Sequence, residues 1–254
     1  MYSTLAYQKL NMMPFHYTNR RQRVNAVVIH YTAAVVREAQ AVVDYWARND
    51  DDPNSEDKYT SSNYIIDVSG RISAVVGESL RAFTTGTWNR GEDDIDDRAI
   101  TIEVSTDVPN SDHVSGNSID ALTKLLADIG ERYGIYWKFT GDKTGNVHAH
   151  RWYQNTPCPG DYLFRKFDII VDIANFMIYK KEEMEMQEIN DRLDALESHT
   201  LPAYHSLEDI PDYWQPEARW MIENGFLKGD GQGDLNLSYD ELRSLVVAAR
   251  MAMQ

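Results

Sequence analysis

The sequence contains a single cysteine, Cys158, among 254 residues, so no disulfide bond can form within the chain. Basic residues are scarce relative to acidic ones, with 25 lysines and arginines against 40 aspartates and glutamates and a net charge of −15. Phosphate backbones are bound by clustered lysines and arginines, so this composition argues against a nucleic-acid partner. The fold must depend on a packed core, to which a bound metal could add stability.

Long apolar segments are missing as well. No run of about 18 apolar residues occurs, which is the length that a membrane-spanning helix needs. Residues 1–15 also lack the basic stretch and continuous apolar run of a secretory signal. We therefore expect a protein that is made in the cytoplasm, has no membrane partner, and needs another factor for release if it acts outside the cell.

The residues that are present favour a folded α/β protein. Hydrophobic residues make up 43% of the chain and aromatic residues 11%, which is enough for a packed core. A β-branched run at 24–30 predicts a buried strand ending on His30, and apolar spacing at 35–48 predicts a helix. Further elements are expected as a hairpin at 64–68 and 71–76, strands at 99–104 and 146–150, and helices at 118–133 and 162–179. This alternation predicts a mixed central β-sheet flanked by helices.

The composition changes after the last of these helices. Residues 180–198 are charged and contain no glycine or proline, with apolar residues at Met186, Ile189, Leu193 and Leu196. This spacing covers about two heptads, so an exposed connecting helix and a helix that forms a homo-oligomer both stay open. We expect one domain at 1–179, a linker helix at 180–200, and a small α-helical module at 201–254.

Three residues of the first domain suggest a metal site. Cys158 lies between two prolines in a rigid turn, and His150 precedes it by eight residues at the end of a predicted strand. His30 ends another buried strand, and catalytic zinc usually takes three protein ligands and leaves a fourth position for water. His148 lies two residues before His150 and is an alternative ligand. From spacing alone, structural histidines and a buried structural cysteine are equally open.

Four motifs carry a family resemblance. They read Val-Ile-His-Tyr-Thr-Ala at 28–33, Ser-Ser-Asn-Tyr-Ile-Ile-Asp at 61–67 with Gly70, Ile-Thr-Ile-Glu-Val at 100–104, and His150-Arg151 leading to Cys158-Pro159-Gly160. This order resembles the type 2 N-acetylmuramoyl-L-alanine amidases, which share their fold with peptidoglycan recognition proteins and include many phage endolysins. The resemblance covers residues from about 23 to 167.

The resemblance implies roles for individual residues. His30, His150 and Cys158 would bind zinc, and Glu103 would be the catalytic carboxylate. The substrate would be peptidoglycan, cut at the amide bond between the lactyl group of N-acetylmuramic acid and L-alanine. Thr156 occupies a place where many relatives have lysine, so it is either a donor to the reacting carbonyl or an ordinary turn residue. The ligand eight residues before the cysteine corresponds to His150, which leaves His148 beside the site.

Three departures from the family pattern affect the expected substrate groove. Asn63 stands where relatives often have histidine, Phe-Thr-Thr-Gly at 83–86 stands where they often have Trp-His-Ala-Gly, and Asp96 replaces an asparagine. Substrate preference and stabilisation of the oxyanion are therefore less predictable than the metal site.

The C-terminal module is similar to a single S-layer-homology repeat, a type that commonly binds cell-wall polymers. Gly225 is expected to end its first helix, and Ser238 with Glu241 forms a capping box that opens the second. The glycine-rich stretch at 229–233 lacks the twelve-residue pattern of a calcium loop and is expected to be a tight turn.

Other functions stay open at this stage. A non-catalytic peptidoglycan-binding protein could have the same fold, although such proteins typically lack the cysteine ligand. A cysteine peptidase using Cys158 is disfavoured by the flanking prolines, because activated thiolates usually lie at helix N-termini. The expected lack of a signal favours a phage lysin over a secreted bacterial autolysin.

Overall fold

A computed structural model describes residues 1–50, 59–87, 94–198, 204–228 and 234–252, except for the side chains of 191–198, 239, 240 and 251. These residues form two compact units, Met1–Glu183 and Met184–Gln254. None of the described helices is both long and apolar enough to cross a membrane.

The first unit is built on a mixed β-sheet. Six described strands are ordered β1-β5-β4-β7-β3-β8. Their bounds are β1 Ala6–Lys9, β3 Ala26–Val35, β4 Tyr64–Ile66, β5 Ile72–Ala74, β7 Ala99–Thr106 and β8 Val147–Ala149. Strand β3 pairs in parallel with both β7 and β8, whereas β4 and β5 form the antiparallel hairpin that the sequence predicts. The predicted mixed α/β fold is thus confirmed.

One face of this sheet is covered by α2 Gly116–Tyr133 and by the part of α4 Phe167–Ser198 that belongs to the first unit, where Phe167, Ile170 and Ile178 are buried. Their apolar residues pack on alternate residues of the central strands, including Val27 and Ile29 of β3, in the largest buried cluster. Helix α2 starts after Ser115, whose side chain accepts the Ser118 N–H, and it ends at Gly134 in the left-handed conformation.

The opposite face of the sheet is more polar. It carries His30 and Glu103, which lie opposite each other in the β3–β7 register. Part of this face is covered by α1 Gln40–Asn49, whose Val43 and Trp46 pack in a cluster with Ile65 of β4. Two outlying strands, β2 Tyr17–Asn19 and β6 Leu80–Ala82, form a separate antiparallel pair. Sequence patterns did not predict β1, β2 or β6, which are only three or four residues long.

The predicted helix at 35–48 was wrong at its start. Strand β3 continues to Val35, which pairs with Thr106 beyond an irregularity after Tyr31, and α1 begins only at Gln40. Ala33 has a φ of 52° within this irregularity. Pairing with β7 therefore extends the strand through residues whose apolar spacing also fits a helix.

The end of the first unit also differs in detail from the prediction. A short helix, α3 Asp161–Phe164, precedes α4. Helix α4 is continuous across the junction that was expected between residues 179 and 180. Met186 and Ile189 are exposed at 59% and 50%, and the side chains of Leu193 and Leu196 lie outside the described residues. The linker and oligomer assignments stay predictions.

The second unit contains α5 Gln215–Glu223 and α6 Tyr239–Ala252. Its own buried cluster consists of Tyr204, Ile210, Trp214, Ala218, Met221, Leu227, Leu237, Leu242, Val246 and Ala249. The predicted capping box is confirmed, since the Ser238 N–H donates to Glu241 Oε2 at 2.9 Å and the Glu241 N–H donates to Ser238 Oγ at 3.3 Å. Gly225 follows α5 with a φ of 75°, as expected. The predicted turn at 229–233 lies outside the described residues.

Candidate metal centre and active site

Two neighbouring parallel strands bring His30 and His150 together. Ile29 of β3 pairs with Ala149 of β8, so the next residue along each strand is a histidine. His30 is still within β3, whereas His150 begins a short 3-10 turn, and their ring centroids lie 4.5 Å apart. His30 is almost completely buried and His150 is half-buried. Pairing of β3 with β8 thus brings two histidine rings into contact although they are 120 residues apart in the sequence.

Cys158 reaches the same place from the loop after β8. Its Sγ lies 3.7 Å from His30 Nδ1 and accepts the Tyr31 N–H at 3.4 Å. The candidate ligand atoms of His30, His150 and Cys158 all lie within 4.8 Å of one another. A tetrahedral zinc with Zn–N near 2.0 Å and Zn–S near 2.3 Å separates a nitrogen from a sulfur by about 3.5 Å. The three side chains therefore form a group that can hold a metal ion.

Glu103 lies beside this group. It is opposite His30 in the β3–β7 register, and its Oε1 lies 3.9 Å from His30 Nδ1. Its side chain is 11% exposed. The sequence motif thus brings a carboxylate next to the candidate metal ligands, as the resemblance implied.

His148 is turned to a different environment. Its Nδ1 lies 2.8 Å from the Tyr153 hydroxyl, and it pairs in register with Val28 of β3. The ligand group found among the described residues contains His150 and not His148. The geometry therefore favours His150 where sequence spacing alone left both histidines open.

Thr156 lines a cavity of about 240 Å³ next to Cys158. Tyr31, Asp112 and Arg151 also line this cavity. The Thr156 Oγ1 accepts the Cys158 N–H at 3.2 Å, and the hydroxyl keeps its own hydrogen for donation. Thr156 therefore helps to hold the cysteine turn, and its role as a donor to the reacting carbonyl stays a prediction.

Burial keeps the candidate ligands uncharged when no metal is bound. It lowers the pKa of His30 well below its ordinary value, to which neighbouring His150 also contributes. It lowers the pKa of His150 to about 4. Burial also raises the pKa of the Cys158 thiol well above its usual range, and the charge of Glu103 raises it further. A metal that binds here must displace the thiol proton, so binding should release a proton.

The three departures from the family pattern lie in one buried network. The Asn63 Oδ1 accepts the Thr101 N–H at 3.0 Å, and Thr101 Oγ1 receives the Thr84 hydroxyl at 3.0 Å. The Asp96 Oδ2 accepts the Thr84 and Thr85 N–H groups, each at 3.0 Å. Asn63 and Asp96 are at most 1% exposed. In this chain Asn63 thus bonds to β7, two residues before Glu103, and Asp96 bonds to the backbone of the loop at Thr84 and Thr85.

Comparison with known proteins agrees with this arrangement. A family model described as N-acetylmuramoyl-L-alanine amidase matches residues 20–161, more than half of the chain. The chain belongs to the N-acetylmuramoyl-L-alanine amidase family. It is accordingly an enzyme of the peptidoglycan amidase class. No curated protein sequence matches it significantly.

Solved structures resemble the amidase in fold. The hydrolase AmiA from Staphylococcus aureus, solved with its ligand, gives a TM-score of 0.53 at 16% identity and covers 69% of this chain and 84% of that one. AmpD gives 0.49 at 18% identity, with 66% and 94% covered. PlyL gives 0.48 at 15% identity, with 66% and 95% covered. At these identities, the likeness to AmiA supports the fold alone.

Sequence reasoning assigned no role to two residues that surround the candidate ligands, Arg151 and Asp112. Arg151 bonds to the cysteine turn, and Asp112 accepts the N–H groups of Asp161 and Tyr162 at 2.7 and 3.0 Å. The position of Arg151 directly after His150 was a usable signal. Asp112 lies in an irregular loop, where no periodic pattern marks it.

The buried histidines predict how stability depends on pH. In the metal-free amidase the pKa values of His148 and His150 are lowered to about 4 and that of His30 is also lowered. Below the unfolded value near 6.5, the unfolded chain binds protons that the folded chain does not, so stability falls as pH falls. We expect urea unfolding with chelator to show a lower free energy at pH 5.5 than at pH 7, by up to about 1.4 kcal/mol per pH unit for each histidine. His150→Gln should flatten this dependence, and an equally steep dependence in that variant would contradict the assignment.

Proposed function

We propose that this amidase is a zinc enzyme that hydrolyses the bond between the lactyl group of N-acetylmuramic acid and L-alanine in peptidoglycan. The observation that carries the proposal is the convergence of the His30, His150 and Cys158 ligand atoms within 4.8 Å, with Glu103 beside them. The family match supports the reaction, and the chemistry of the donor set supports the metal.

The donor set fits zinc better than a harder cation. Two imidazoles and a thiolate are ligands that zinc accepts, whereas magnesium and calcium prefer oxygen. His150 Nε2 is buried and has no hydrogen-bond partner among the described residues, so it is available for a ligand bond, and the convergence with His30 and Cys158 distinguishes it from His148 Nε2, which is equally unpartnered there. When bound, zinc would polarise the scissile carbonyl and lower the pKa of water to about 7.

Glu103 is proposed to move the proton. Its carboxylate takes a proton from the attacking water as the oxygen adds to the carbonyl carbon. It then returns that proton to the amide nitrogen as the carbon–nitrogen bond breaks. The products are a free lactyl carboxylate and a stem peptide with an L-alanine amino terminus. One carboxylate 3.9 Å from His30 Nδ1 can serve both transfers because it stays next to the reacting centre.

Thr156 is proposed as a hydroxyl donor to the carbonyl oxygen that becomes negatively charged. Its oxygen already accepts the Cys158 N–H, which fixes the side chain and leaves the hydroxyl hydrogen available. A fixed donor stabilises a developing charge better than a mobile one, because it does not have to reorganise during the reaction.

The biological role is proposed from the same function. Hydrolysis of this bond would lyse the bacterial wall, as expected of a phage endolysin, and release would depend on a separate factor. A secreted bacterial autolysin is the alternative. Binding of cell-wall polymers by residues 201–254 and oligomer formation through residues 180–198 stay predictions.

Metal dependence is the first test. We expect a chelator to abolish release of peptides from purified peptidoglycan and one equivalent of zinc to restore it. Mass spectrometry of the products should find stem peptides that begin with L-alanine. Activity that survives chelation but is lost on thiol alkylation would instead indicate a cysteine nucleophile, and cut glycan or shorter peptides would indicate a different bond.

Replacement of Glu103 separates metal binding from turnover. Glu103→Gln should bind one zinc but lose about 10²–10⁴-fold in kcat, because the proton acceptor is gone while the metal ligands remain. His148→Gln is a matched control at a buried polar residue close to the site, and it should keep both zinc and most of the activity. A Glu103→Gln enzyme with normal kcat would remove this residue from the mechanism.

The role of Thr156 is tested by a pair of variants. Thr156→Ser keeps a hydroxyl and should retain most of the activity. Thr156→Val keeps the shape without the donor and should lower kcat by about 10²-fold. Zinc content measured in both variants shows whether the cysteine turn is intact. Equal kcat values for the two variants would reduce Thr156 to a turn residue.

A further inference from the structure

Arg151 lies next to one candidate ligand in the sequence and contacts the turn that carries another. It directly follows His150, and its side chain extends along the turn that carries Cys158. The backbone N–H of Arg151 donates to the Cys158 carbonyl at 2.9 Å. The side chain of Arg151 is 24% exposed and packs over the ring of Phe164, with its Cζ 5.0 Å from the centroid.

The guanidinium group adds three further contacts. Nη2 donates to the Pro157 carbonyl at 2.5 Å, and Nε donates to the Cys158 carbonyl at 3.4 Å. Nη1 forms an ion pair with Asp161 at 2.7 Å. Both carbonyls that flank the cysteine along the chain are therefore bonded to one residue. These three bonds use three of the five N–H groups of the guanidinium, all of them on the cysteine turn or on Asp161 just after it.

The rest of the turn is fixed from other directions. Gly160 has a φ of 80°, and a Cβ there would lie 2.7 Å from the Asp112 Cβ, so only glycine fits. The Gly160 N–H donates to the Pro157 carbonyl at 2.8 Å. Thr156 accepts the Cys158 N–H. Of these contacts, those of Arg151 link the cysteine turn to the residue that follows His150.

We propose that Arg151 is a positioning residue that holds the Cys158 Sγ in register with His30 and His150. This inference rests on the proposed zinc function. Ligands must be held within about 0.5 Å of their productive geometry. The guanidinium bonds to the Pro157 and Cys158 carbonyls add to the backbone bonds of the turn and restrain it further. Partners that orient metal ligands in this way typically contribute 10–100-fold to metal affinity.

The test compares Arg151→Met with Arg165→Met in the full-length protein. Methionine keeps an unbranched side chain over Phe164 but removes every guanidinium bond, and Arg165 is an exposed arginine just after the same short helix. The zinc dissociation constant, measured by competition with a chromogenic chelator, should rise 10–100-fold in Arg151→Met. It should not change in Arg165→Met, and Arg151→Lys should lie between the wild-type protein and Arg151→Met.

Thiol reactivity gives a second measurement that needs no metal. Cys158 is the single cysteine, so alkylation of the metal-free protein by iodoacetamide reports on this turn alone. Removal of the Arg151 charge also raises the pKa of the thiol, so the rate is compared per thiolate, taken from the pH profile of alkylation. We expect this rate to be about tenfold higher in Arg151→Met, because loss of bonds from a charged donor frees the turn to open. Asp161→Asn, at a side chain that is 64% exposed, should accelerate alkylation in the same direction by less. This variant provides the test if Arg151→Met does not fold.

The two measurements separate this inference from the proposed zinc function. If the wild-type protein binds no zinc, the zinc centre fails, and alkylation of the metal-free variants still decides the role of Arg151. If zinc binds but Arg151→Met matches Arg165→Met in affinity or in alkylation rate, the positioning role is overturned.

Discussion

The site depends on the parallel pairing of β3 with strands on both sides. Strand β3 lies between β7 and β8, and its register with β8 aligns Ile29 with Ala149 while its register with β7 aligns His30 with Glu103. Parallel strands end at the same edge of a sheet, so residues far apart in sequence meet there without a dedicated loop. A one-residue slip would turn every side chain of β3 to the other face, and His30 would enter the apolar core under α2 and α4.

Burial at this edge has two opposing consequences. It favours neutral imidazoles and a protonated thiol, which lowers the cost of keeping the candidate ligands in the protein interior without a metal. It also means that a cation must displace a proton and replace solvent with fixed ligands. The polar face must therefore be rigid. If the ligand atoms were misplaced, the cation would lose its water ligands without forming metal–ligand bonds of normal length in their place. Hydrogen bonds supply this rigidity, since Thr156 bonds to Cys158 and Asn63 bonds to Thr101, and no disulfide is involved.

The sequence predicted the parts of the amidase that are encoded locally. A β-branched run ending on His30 and a cysteine between prolines are readable because strand and turn chemistry act over a few residues. The start of α1 was misjudged because residues near Val35 fit both a strand and a helix, and only pairing with β7 decides between them. The choice between His148 and His150 needed the family motif first and the geometry afterwards. The partners of Arg151 could not be predicted, since carbonyl contacts in an irregular turn leave no periodic pattern.

Asn63 and Asp96, two of the departures from the family pattern, add hydrogen bonds to the same polar face. Here Asn63 bonds to Thr101, two residues before Glu103, and Asp96 bonds to the backbone that carries Thr84, whose hydroxyl meets Thr101. A change at one of these positions would leave a buried donor or acceptor without its partner, which costs more than loss of a surface contact. Replacing Asn63 or Asp96 is therefore expected to destabilise the fold beside Glu103, whatever effect it has on the substrate groove.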